Sequence, residues 1–529
     1  MNRENNISYL LLPLLIGGFS AITYLIGTNF AKQKNESDVI AFTKFNQILD
    51  LIENKYVDSV NREDLFESSI SGMLEKLDPH STYIRSEDVV RANESLKGHF
   101  GGVGIRFFIL RDTLMVTNVI KNGPSFKAGL KTGDRIIEVN NENIAGVKIT
   151  NEDILNKLKG PSGTSVSVTI YNHRSNKEKT IKLKRSLIAL PSLEASFMIK
   201  KTSIGYIKLN NFSNTTHTEF KNALTKLKQQ GAKSLILDLR NNTGGYLDQA
   251  IKISDEFLAQ NKMIVYTEGL NESRASFYSS NEGGFKKGDL IILINSYSAS
   301  ASEIVSGAIQ DNDRGMIVGR RSFGKGLVQT PISLYDNSEL RLTVSRYYTP
   351  TGRCIQKPYG DKVDYTKEIQ ERYENGEMQE IDSTIFENTQ KFTTPMGKTV
   401  YGGGGIFPDI YVPLDTQDLA VKLLTSYDLK EFCFDYVCNN PISSNFKNLK
   451  TFDEKFSVSE SLLADFLKHL NEKRGINLSS TELLMYKNRI KNYIKAEITS
   501  YLFDVESINY INYPYDKDIV KAIEWLDID

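Results

Sequence analysis

The segment from Asp289 to Gln329 carries most of the structural information in this chain and reads DLIILINSYSASASEIVSGAIQDNDRGMIVGRRSFGKGLVQ. It opens with the apolar run Leu290–Ile294, whose shortness and β-branched residues are typical of a strand buried on both faces. A turn of small residues follows, and the apolar spacing of residues 303–309 then predicts a helix. A serine of this turn therefore lies between a buried strand and a helix, where a hydroxyl meets free backbone N–H groups and the positive end of the helix dipole.

A serine at such a junction needs a base if it is to act as a nucleophile. Lys325 follows between two glycines, and Gln329 lies four residues further along the chain. All five histidines lie outside residues 289–329, so the local sequence favours Lys325 as the base. The segment therefore predicts a serine and lysine pair at the end of a buried strand.

Residues 203–295 alternate strand and helix patterns, which predicts βαβ units and a parallel sheet. In such sheets the ligand site lies beyond the carboxyl ends of the strands, and both Gly244-Gly245 and Ser300 follow predicted strands. One interpretation of the glycine pair is a plain strand-to-helix turn. The other is a close backbone approach, in which Gly244 and Gly245 provide one oxyanion N–H and Ala301 provides the second.

Two other motifs overlap the lysine segment. Residues 319–326 nearly match the phosphate loop G-x-x-x-x-G-K-[ST], but Gly326 replaces the hydroxyl residue that holds Mg²⁺, which disfavours nucleotide binding. Ser322 and Lys325 form an S-x-x-K and residues 131–133 form a K-T-G, as in penicillin-recognising serine enzymes. The glycines on both sides of Lys325 oppose the helix that this second alternative requires.

Length and composition indicate a globular protein of several domains. The 529 residues are too many for one ordinary core. Hydrophobic residues make up 40% and charged residues 25%, as in globular proteins generally. The 65 basic and 65 acidic residues give a formal net charge of zero, which argues against a nucleic-acid-binding protein.

The N-terminal segment contains an uncharged run, residues 8–28, between Arg3 and Lys32. Its length is close to the ~20 residues that span a bilayer and exceeds the ~7–15-residue core of a cleaved signal. An uncleaved membrane anchor is therefore expected, with a removed signal peptide as the alternative. Both place the body outside the cytoplasm, and we expect it in the periplasm or extracytoplasmic space, anchored to the inner membrane.

The three cysteines are Cys354, Cys433 and Cys438, and their odd number excludes a complete disulfide framework. A bridge between Cys433 and Cys438 is compatible with an oxidising compartment, but C-x4-C is weak evidence for a disulfide or a metal. No cluster of His and Cys completes a set of four metal ligands, so we expect no metal and no other cofactor.

Residues 99–185 show a pattern of short strands with one helix, Glu152–Leu158. The loop at residues 101–105 can bring successive backbone N–H groups onto one carboxylate, and the strand after it offers an edge to an extended peptide. Together with residues 128–140, AGLKTGDRIIEVN, this loop resembles that of a PDZ domain. The residues expected to bind the C-terminus of a peptide are Gly102, Val103, Gly104 and Ile105.

The other segments are less informative. Helical apolar spacing occurs at residues 39–56 and 65–77, before the short strands. Residues 341–356 alternate like a strand that ends in a turn. The charged residues 360–398, with a short helical pattern at 365–373, are interpreted as a surface insertion of unknown use. Beyond Asp415 the apolar spacing predicts a separate helical module without chemistry of its own.

Several motifs together resemble, in kind and order, those of the carboxyl-terminal processing peptidases, also called tail-specific proteases. They are the PDZ stretch and residues 77–81, 238–245, 298–303, 323–329, 347–356 and 403–409, within about residues 39–413. The resemblance implies a Ser/Lys-dyad protease that recognises proteins by their C-termini through the PDZ domain. It assigns Ser300 as the nucleophile, Lys325 as the base and Gln329 as the amide that orients the base. Ser298 and Ser302 are then residues of the turn and the helix cap.

Two positions depart from the pattern of this family. Thr243 replaces the proline of N-N-P-G-G, which leaves both glycines in place. Lys159 replaces the arginine of the R-G-x-x-G turn after the PDZ helix. Lysine and arginine are not interchangeable in ion pairing, so any role of that arginine in coupling the PDZ domain to the protease does not carry over directly.

The sequence therefore predicts a multidomain α/β serine endopeptidase that cleaves proteins or peptides with apolar C-termini. The expected parts are a membrane anchor or signal with linker (1–35), an N-terminal helical segment (36–97), a mostly β PDZ domain (98–185), an α/β protease core (186–414) and a C-terminal helical module (415–529). A non-catalytic, membrane-anchored PDZ scaffold is the alternative, but it leaves the spacing of Ser300, Lys325 and Gln329 unexplained. Homo-oligomerisation through the helical module is compatible with the sequence, although no long heptad repeat argues for it.

Overall fold

The computed structural model describes residues 39–172, 177–360, 365, 367–380, 389–414, 427–440, 442, 446–503 and 506–527. The chain forms two compact units, which divide after Tyr83. The expected membrane anchor, residues 1–35, lies outside the described residues. Within the described residues, no helix is both long enough and apolar enough to cross a membrane.

The first unit contains the two helices that its apolar spacing predicts, at residues 39–55 and Arg62–Glu75. Asn61 caps the second helix through its side chain. Phe45 and Phe66 pack edge to face with their ring centroids 6.1 Å apart, and this contact joins the two helices. The short strand Thr82–Ile84 follows at the division between the units.

The protease core of the second unit is built on a mostly parallel sheet. In spatial order its strands are Leu193–Met198, Ile204–Leu209, Ser234–Asp238, Leu290–Ile294, Met316–Gly319 and Ile410–Tyr411. The first strand pairs antiparallel with its neighbour and the other pairs are parallel. Leu290–Ile294 lies inside the sheet and is buried along its whole length, which confirms the strand predicted there.

Alternate residues of these strands enter two different apolar clusters, because side chains of a strand alternate between the faces of the sheet. Leu235, Leu237 and Ile292 belong to the cluster on one face. The helices that contribute to this face are Thr216–Gln229, Leu247–Asp255 and Ala301–Asp311. Ile236 and Ile291 belong to the cluster on the other face.

The final helix, Lys517–Leu526, packs on that other face through Ile519 and Ala522. The expectation of a separate helical module from residue 415 onward therefore does not hold for this helix. Its apolar residues cover a sheet face that would otherwise be exposed to water, which is the physical reason for its position.

A second sheet of the core carries the hairpin Leu327–Ser333 and Glu339–Tyr348 and the strands Met263–Glu268 and Ala275–Tyr278. The strand predicted at residues 341–356 thus begins slightly earlier and ends before the turn. In the hairpin, Gln329 lies opposite Thr343. The loop that precedes this hairpin contains Lys325.

The PDZ domain comprises short strands and two helices. The strands are His99–Gly102, Ile105–Leu110, Thr113–Val119, Arg135–Val139, Glu142–Asn143, Ser165–Asn172, Lys177–Lys184 and Ser186–Ala189; the helices are Pro124–Lys127 and Asn151–Leu158. Ile105–Leu110 lies at one end of the strand order. The helices Ser86–Ala92 and Glu94–Lys97 precede the domain.

The helical module after the core consists of Tyr427–Asn439, Leu449–Lys455, Glu460–Arg474, Ser480–Leu502 and Glu506–Asn512. Its apolar cluster includes Leu110 and Met115 of the PDZ domain, so the module packs against that domain. Cys433 and Cys438 are not joined by a disulfide, so the bridge considered between them is not formed. Cys433 is instead a buried residue of the cluster.

Candidate active site

Ser300 lies directly before the helix Ala301–Asp311, at the carboxyl end of the central strand Leu290–Ile294. Its backbone adopts φ 55° and ψ −113°, which is uncommon for a residue other than glycine. Such strain persists only where the surrounding structure fixes the backbone, and it is concentrated at functional sites. Ser300 is partly exposed and lines a cleft of about 870 Å³.

The neighbouring serines have structural hydrogen bonds. Ser298 and Ser302 are fully buried. The Ser298 hydroxyl donates to Leu239 O at 2.8 Å, and the Ser302 hydroxyl donates to Asn242 O at 2.9 Å. Both bonds join the serine turn to the loop after the adjacent strand, Ser234–Asp238. The Ser298 bond agrees with the turn role that was expected for this serine. Ser302 is not the helix cap, because it is the second residue of the helix and the N-cap residue is Ser300.

Lys325 and Gln329 line the same cleft as Ser300. Lys325 is in the loop between the strands Met316–Gly319 and Leu327–Ser333. Its Nζ donates to Gln329 Oε1 at 2.9 Å, so the amide holds the end of the lysine side chain. The structure thus brings together three residues that are spread over 30 positions of the sequence, Ser300 to Gln329.

The loop Ser322–Gly326 is held at each of its backbone N–H and C=O groups. From Ser322 to Gly326, the N–H groups donate in turn to Ile406 O, Ser298 O, Glu303 Oε1, Glu303 Oε2 and Gln356 Oε1. Over the same five residues, the carbonyl oxygens accept in turn from Arg372 Nη1, Arg372 Nη2, Lys357 N, Tyr347 Oη and Tyr347 N. Buried peptide groups without partners are costly, and here each has one. The loop is therefore fixed although it is neither helix nor strand.

Glu303 connects the candidate nucleophile to the candidate base. It is fully buried, and its Oε2 accepts the N–H of Ser300 at 2.8 Å and the N–H of Lys325 at 2.9 Å. Its Oε1 accepts the Ser322 hydroxyl at 2.5 Å and the Gly324 N–H at 2.7 Å. Burial raises the pKa of Glu303 to about 7, while these four donors favour its ionised form.

Tyr347 makes a second connection between the same two residues. Its hydroxyl donates to Lys325 O at 2.6 Å, and its oxygen lies 3.2 Å from Ser300 O. Burial raises the pKa of Tyr347 well above the ordinary tyrosine value, which keeps the hydroxyl protonated as a donor. Glu303 and Tyr347 thus hold the N–H and C=O groups of Ser300 and Lys325 from two directions.

Sequence reasoning did not identify Glu303 or Tyr347. A signal existed for Glu303, because Ser300-Ala-Ser-Glu303 has the S-x-x-E spacing of a capping box. For Tyr347 the sequence showed only an alternating strand. Its partners, Ser300 and Lys325, are 47 and 22 residues away, and no local pattern reports such contacts.

The glycine loop approaches the serine turn closely. A Cβ on Gly244 would lie 2.8 Å from Ser300 Cβ and 3.0 Å from Ala301 N, and one on Gly245 would lie 2.2 Å from Phe212 O. Gly244 has φ 99°, so only glycine fits this approach without strain. The Gly244 N–H already donates to Asn242 Oδ1 at 2.9 Å. Of the three predicted oxyanion donors, Gly245 and Ala301 are therefore the better candidates.

The lysine loop does not have the properties of a phosphate loop. A strand, Leu327–Ser333, follows it, whereas a phosphate loop leads into a helix. The N–H groups of Gly324 and Lys325 point to the carboxylate of Glu303, and an anionic phosphate cannot share these donors with an anionic carboxylate. The nucleotide-binding alternative is therefore not supported by the structure.

The candidate carboxylate-binding loop of the PDZ domain lies between the strands His99–Gly102 and Ile105–Leu110. Gly104 has φ 78°, and Ile120 N donates to its carbonyl at 3.0 Å. Val103 O accepts the N–H and the hydroxyl of Ser125, at 3.0 and 2.7 Å. These bonds fix the loop through its carbonyls, so the N–H groups of Val103 and Gly104 remain the expected donors to a carboxylate.

Lys159, the lysine after the PDZ helix, forms an ion pair with Glu94 at 2.5 Å. Its Nζ also lies 4.6 Å from the centroid of the Phe100 ring. The neighbours of Glu94 that line the cleft containing Ser300 are Ala92, Asn93, Ser95 and Leu96. Lys159 therefore forms an ionic contact between the end of the PDZ helix and the segment that precedes the PDZ domain.

Three segments of the chain match models of known protein families that are relevant to the candidate site. Residues 203–369 match the model of peptidase family S41, residues 101–184 that of a PDZ domain, and residues 25–88 that of the activating protease CtpB N-terminal domain. Residues 421–504 match a family of unknown function. The carboxy-terminal-processing protease of Bartonella bacilliformis is 35% identical over 346 residues, which cover 64% of this chain and 78% of that protein. The chain belongs to peptidase family S41.

This S41 peptidase is a PDZ-containing serine peptidase of the carboxyl-terminal processing group. A probable CtpA-like serine protease of Staphylococcus aureus is 33% identical over 373 residues, 69% of this chain and 73% of that protein. The solved photosystem II D1 C-terminal processing protease shares 23% identity, covers 70% of this chain and 92% of its own, and has a TM-score of 0.36. Family membership favours an enzyme over a non-catalytic PDZ scaffold.

Proposed function

We propose that this S41 peptidase cleaves peptide bonds with Ser300 as the nucleophile, Lys325 as the general base and Gln329 as the residue that orients the lysine. The main supporting observation is that the three side chains line one cleft, with Lys325 Nζ bonded to Gln329 Oε1 at 2.9 Å. Glu303 further supports the pairing, because its carboxylate accepts the backbone N–H groups of both Ser300 and Lys325. The Tyr347 hydroxyl adds to this support, because it donates to Lys325 O and its oxygen lies 3.2 Å from Ser300 O.

In the proposed reaction, the neutral amine of Lys325 takes the proton of the Ser300 hydroxyl as the oxygen attacks the scissile carbonyl. The ammonium of Lys325 then gives that proton to the leaving amine as the C–N bond breaks, which leaves an acyl ester on Ser300. Water, deprotonated by the same lysine, attacks the ester; the lysine then gives this proton to the Ser300 oxygen as the ester bond breaks and the carboxylic acid product leaves. The N–H groups of Gly245 and Ala301 stabilise the negative charge on the carbonyl oxygen.

Substitution of the proposed dyad tests this mechanism. The full-length chain should cleave an unstructured peptide with an apolar C-terminus, and Ser300→Ala and Lys325→Ala should each reduce kcat by at least about 10³-fold. The matched controls are the exposed residues Ser59 and Lys287, whose substitution by alanine should leave kcat unchanged. Cleavage at the wild-type rate by either dyad variant would exclude the proposed roles.

We further propose that the PDZ domain selects substrates by a free, apolar C-terminus, with the backbone N–H groups of residues 102–105 binding the terminal carboxylate. The turn at Gly104 and the outer position of Ile105–Leu110 in the sheet support this. Two peptides of identical sequence, one with a free carboxylate and one with a C-terminal amide, provide the test. The amide should have a KM about tenfold higher or more, and equal KM values would contradict the proposal.

The apolar residues 8–28 support a third proposal, that the protein is anchored in the inner membrane with its peptidase outside the cytoplasm. Its natural substrates would then be extracytoplasmic proteins. Fractionation of cells followed by protease treatment from the outside tests this location. Recovery of the protein in the soluble cytoplasmic fraction would contradict it.

A further inference from the structure

The charged segment 360–398 contains an element that belongs to the catalytic framework. The sequence suggested a surface insertion, but its helix, Glu368–Glu374, has a buried arginine. Arg372 is only 4% exposed, and an arginine with so little access to water requires partners for its charge and N–H groups. Most residues of this helix are exposed, so its place at the surface is not contradicted, but Arg372 connects it to the interior.

The partners of Arg372 are two successive carbonyls of the lysine loop. Nη1 donates to Ser322 O at 2.8 Å, and Nη2 donates to Phe323 O at 3.3 Å. Nε donates to Glu368 on the preceding turn of the same helix, at 2.5 Å. The planar guanidinium can make these three bonds at once, which a lysine ammonium on a flexible chain cannot reproduce.

The same two peptide groups are bound from the opposite side by the serine segment. The C=O and N–H of a trans peptide point in opposite directions. The peptide between Phe323 and Gly324 accepts from Arg372 and donates to Glu303 Oε1 at 2.7 Å. The peptide between Ser322 and Phe323 accepts from Arg372 and donates to Ser298 O at 2.9 Å. Arg372 and the serine segment therefore fix the planes of both peptides between them.

The next residue in the chain after these peptides is Lys325. Glu368 extends the support, because its Oε2 pairs with Lys357 Nζ at 3.0 Å. Lys357 donates its own N–H to Gly324 O at 2.9 Å, and its Nζ lies 4.0 Å from the centroid of the Phe323 ring. The helix and Lys357 thus hold the loop on the side opposite to Glu303.

We infer that Arg372 is a positioning residue for Lys325: it orients the two peptides before the lysine so that the following N–H groups meet Glu303 and the amine reaches Ser300 and Gln329. This inference rests on the proposed role of Lys325 as the base. Without the guanidinium, two buried carbonyls lose their donors, and each peptide plane is held only through its N–H bond to Glu303 or to Ser298 O. Small displacements of a catalytic group reduce the chemical step without preventing substrate binding.

Kinetics of the full-length chain test the inference. Arg372→Ala should lower kcat by about 10²-fold and leave KM within about threefold, because the substrate cleft itself is unchanged. Arg372→Lys should recover only part of the loss. The exposed neighbour Glu371 gives the matched control, and Glu371→Ala should behave as the wild type. Thermal unfolding of each variant shows whether the fold is intact.

Chemical rescue separates positioning from general stability. Guanidinium ion at low millimolar concentration should restore part of the kcat of Arg372→Ala, because it can occupy the site of the missing group. It should not increase the activity of Glu371→Ala or of Lys325→Ala. A general loss of stability would not respond to so small an amount of guanidinium.

The outcomes distinguish this inference from the proposed dyad. If Lys325→Ala keeps wild-type activity, the dyad itself is wrong. If Lys325→Ala is inactive while folded Arg372→Ala keeps kcat within about threefold of the wild type, the dyad stands and the role of Arg372 is overturned. The inference would also be overturned if guanidinium did not restore the reduced kcat of Arg372→Ala and the thermal midpoint showed that this variant is largely unfolded at the assay temperature.

Discussion

The catalytic cleft and the attachment of the PDZ helix are held by contacts of different kinds. Glu303 and Tyr347 are buried and bond directly to the backbone of Ser300 and Lys325. The PDZ helix instead contacts the segment before it through ion pairs between side chains. In one of these, Arg91 and Glu152, the side chains are 49% and 68% exposed.

The difference has energetic consequences. Loss of one partner of a buried hydrogen bond to a charged group costs about 1–3 kcal/mol or more, whereas exposed ion pairs contribute about 0–1 kcal/mol. The geometry of Ser300 and Lys325 therefore changes only at high cost. An exposed pair such as Arg91–Glu152 can exchange partners at low cost, whereas the pair Lys159–Glu94 is less exposed, at 26% and 15%. We expect substitutions in the cleft to alter the chemical step and substitutions at the PDZ attachment to alter its dependence on the substrate C-terminus.

Among substitutions outside the proposed dyad, the largest effect is expected from Glu303→Gln. The glutamine has a similar shape, but its NH₂ group is a donor and meets N–H and O–H donors, so at least one bond to Ser300, Lys325, Gly324 or Ser322 is lost. We expect kcat to fall by more than about 10²-fold with little change in KM. Steady-state kinetics measure both values, and Glu374→Gln on an exposed surface is the control. A kcat within threefold of the control would contradict the proposed connection.

Stability should also depend on the ionisation of Glu303. Its pKa is about 7 in the folded chain and 4.5 for an ordinary glutamate. As the pH rises from 4.5 to 7, the unfolded chain loses this proton and the folded chain keeps it, so the free energy of unfolding falls. The loss amounts to about 3 kcal/mol and is complete above pH 7. Urea unfolding should show this decrease in the wild type relative to Glu303→Gln, and parallel pH curves would contradict it.

A moderate effect is expected from Tyr347→Phe. The change removes one hydroxyl that donates to Lys325 O and lies near Ser300 O, while the buried ring remains. A hydrogen bond of this type contributes about 1–1.5 kcal/mol, so kcat should fall by about tenfold. The adjacent Tyr348, which stacks on Tyr266, is the natural control as Tyr348→Phe. Equal kinetics of the two variants would show that the hydroxyl has no part in positioning the dyad.

The smallest effect on chemistry is expected from Lys159→Ala. The variant loses the ion pair with Glu94 but no contact with the dyad. Cleavage of a short peptide amide should change less than about twofold, while the preference for the free carboxylate should weaken. Lys157 pairs with Glu142 within the PDZ domain, so Lys157→Ala is the matched control. An unchanged preference in Lys159→Ala would show that this pair does not couple the PDZ domain to the cleft.

The sequence alone predicted those parts of the fold that depend on patterns among neighbouring residues. The buried strand Leu290–Ile294, the alternation of strands and helices and the PDZ motifs follow from periodicity and turn residues, and the structure contains them. The local sequence favoured Lys325 as the base, the resemblance assigned Ser300 and Gln329, and all three residues line one cleft.

Features that depend on distant contacts were not predictable in this way. Arg372 looked like one more charge in a polar segment, because nothing nearby in the sequence indicates that Ser322 and Phe323 lie against it. The final helix, Lys517–Leu526, looked like part of a separate module, because Ile236 and Ile291 in the sheet face that it covers are more than 200 positions earlier. Burial of charged and apolar groups by distant segments is decided by tertiary packing and not by local periodicity.

Hydrogen exchange of the full-length Ser300→Ala variant, measured with and without a peptide that has a free apolar C-terminus, tests the contrast between cleft and PDZ attachment most directly. Exchange reports local opening segment by segment. We predict that the peptide changes exchange in residues 91–97 and 151–159 and leaves residues 322–326 unchanged and slow. Fast exchange of residues 322–326 in the free protein, with protection only when the peptide binds, would contradict a preformed lysine loop.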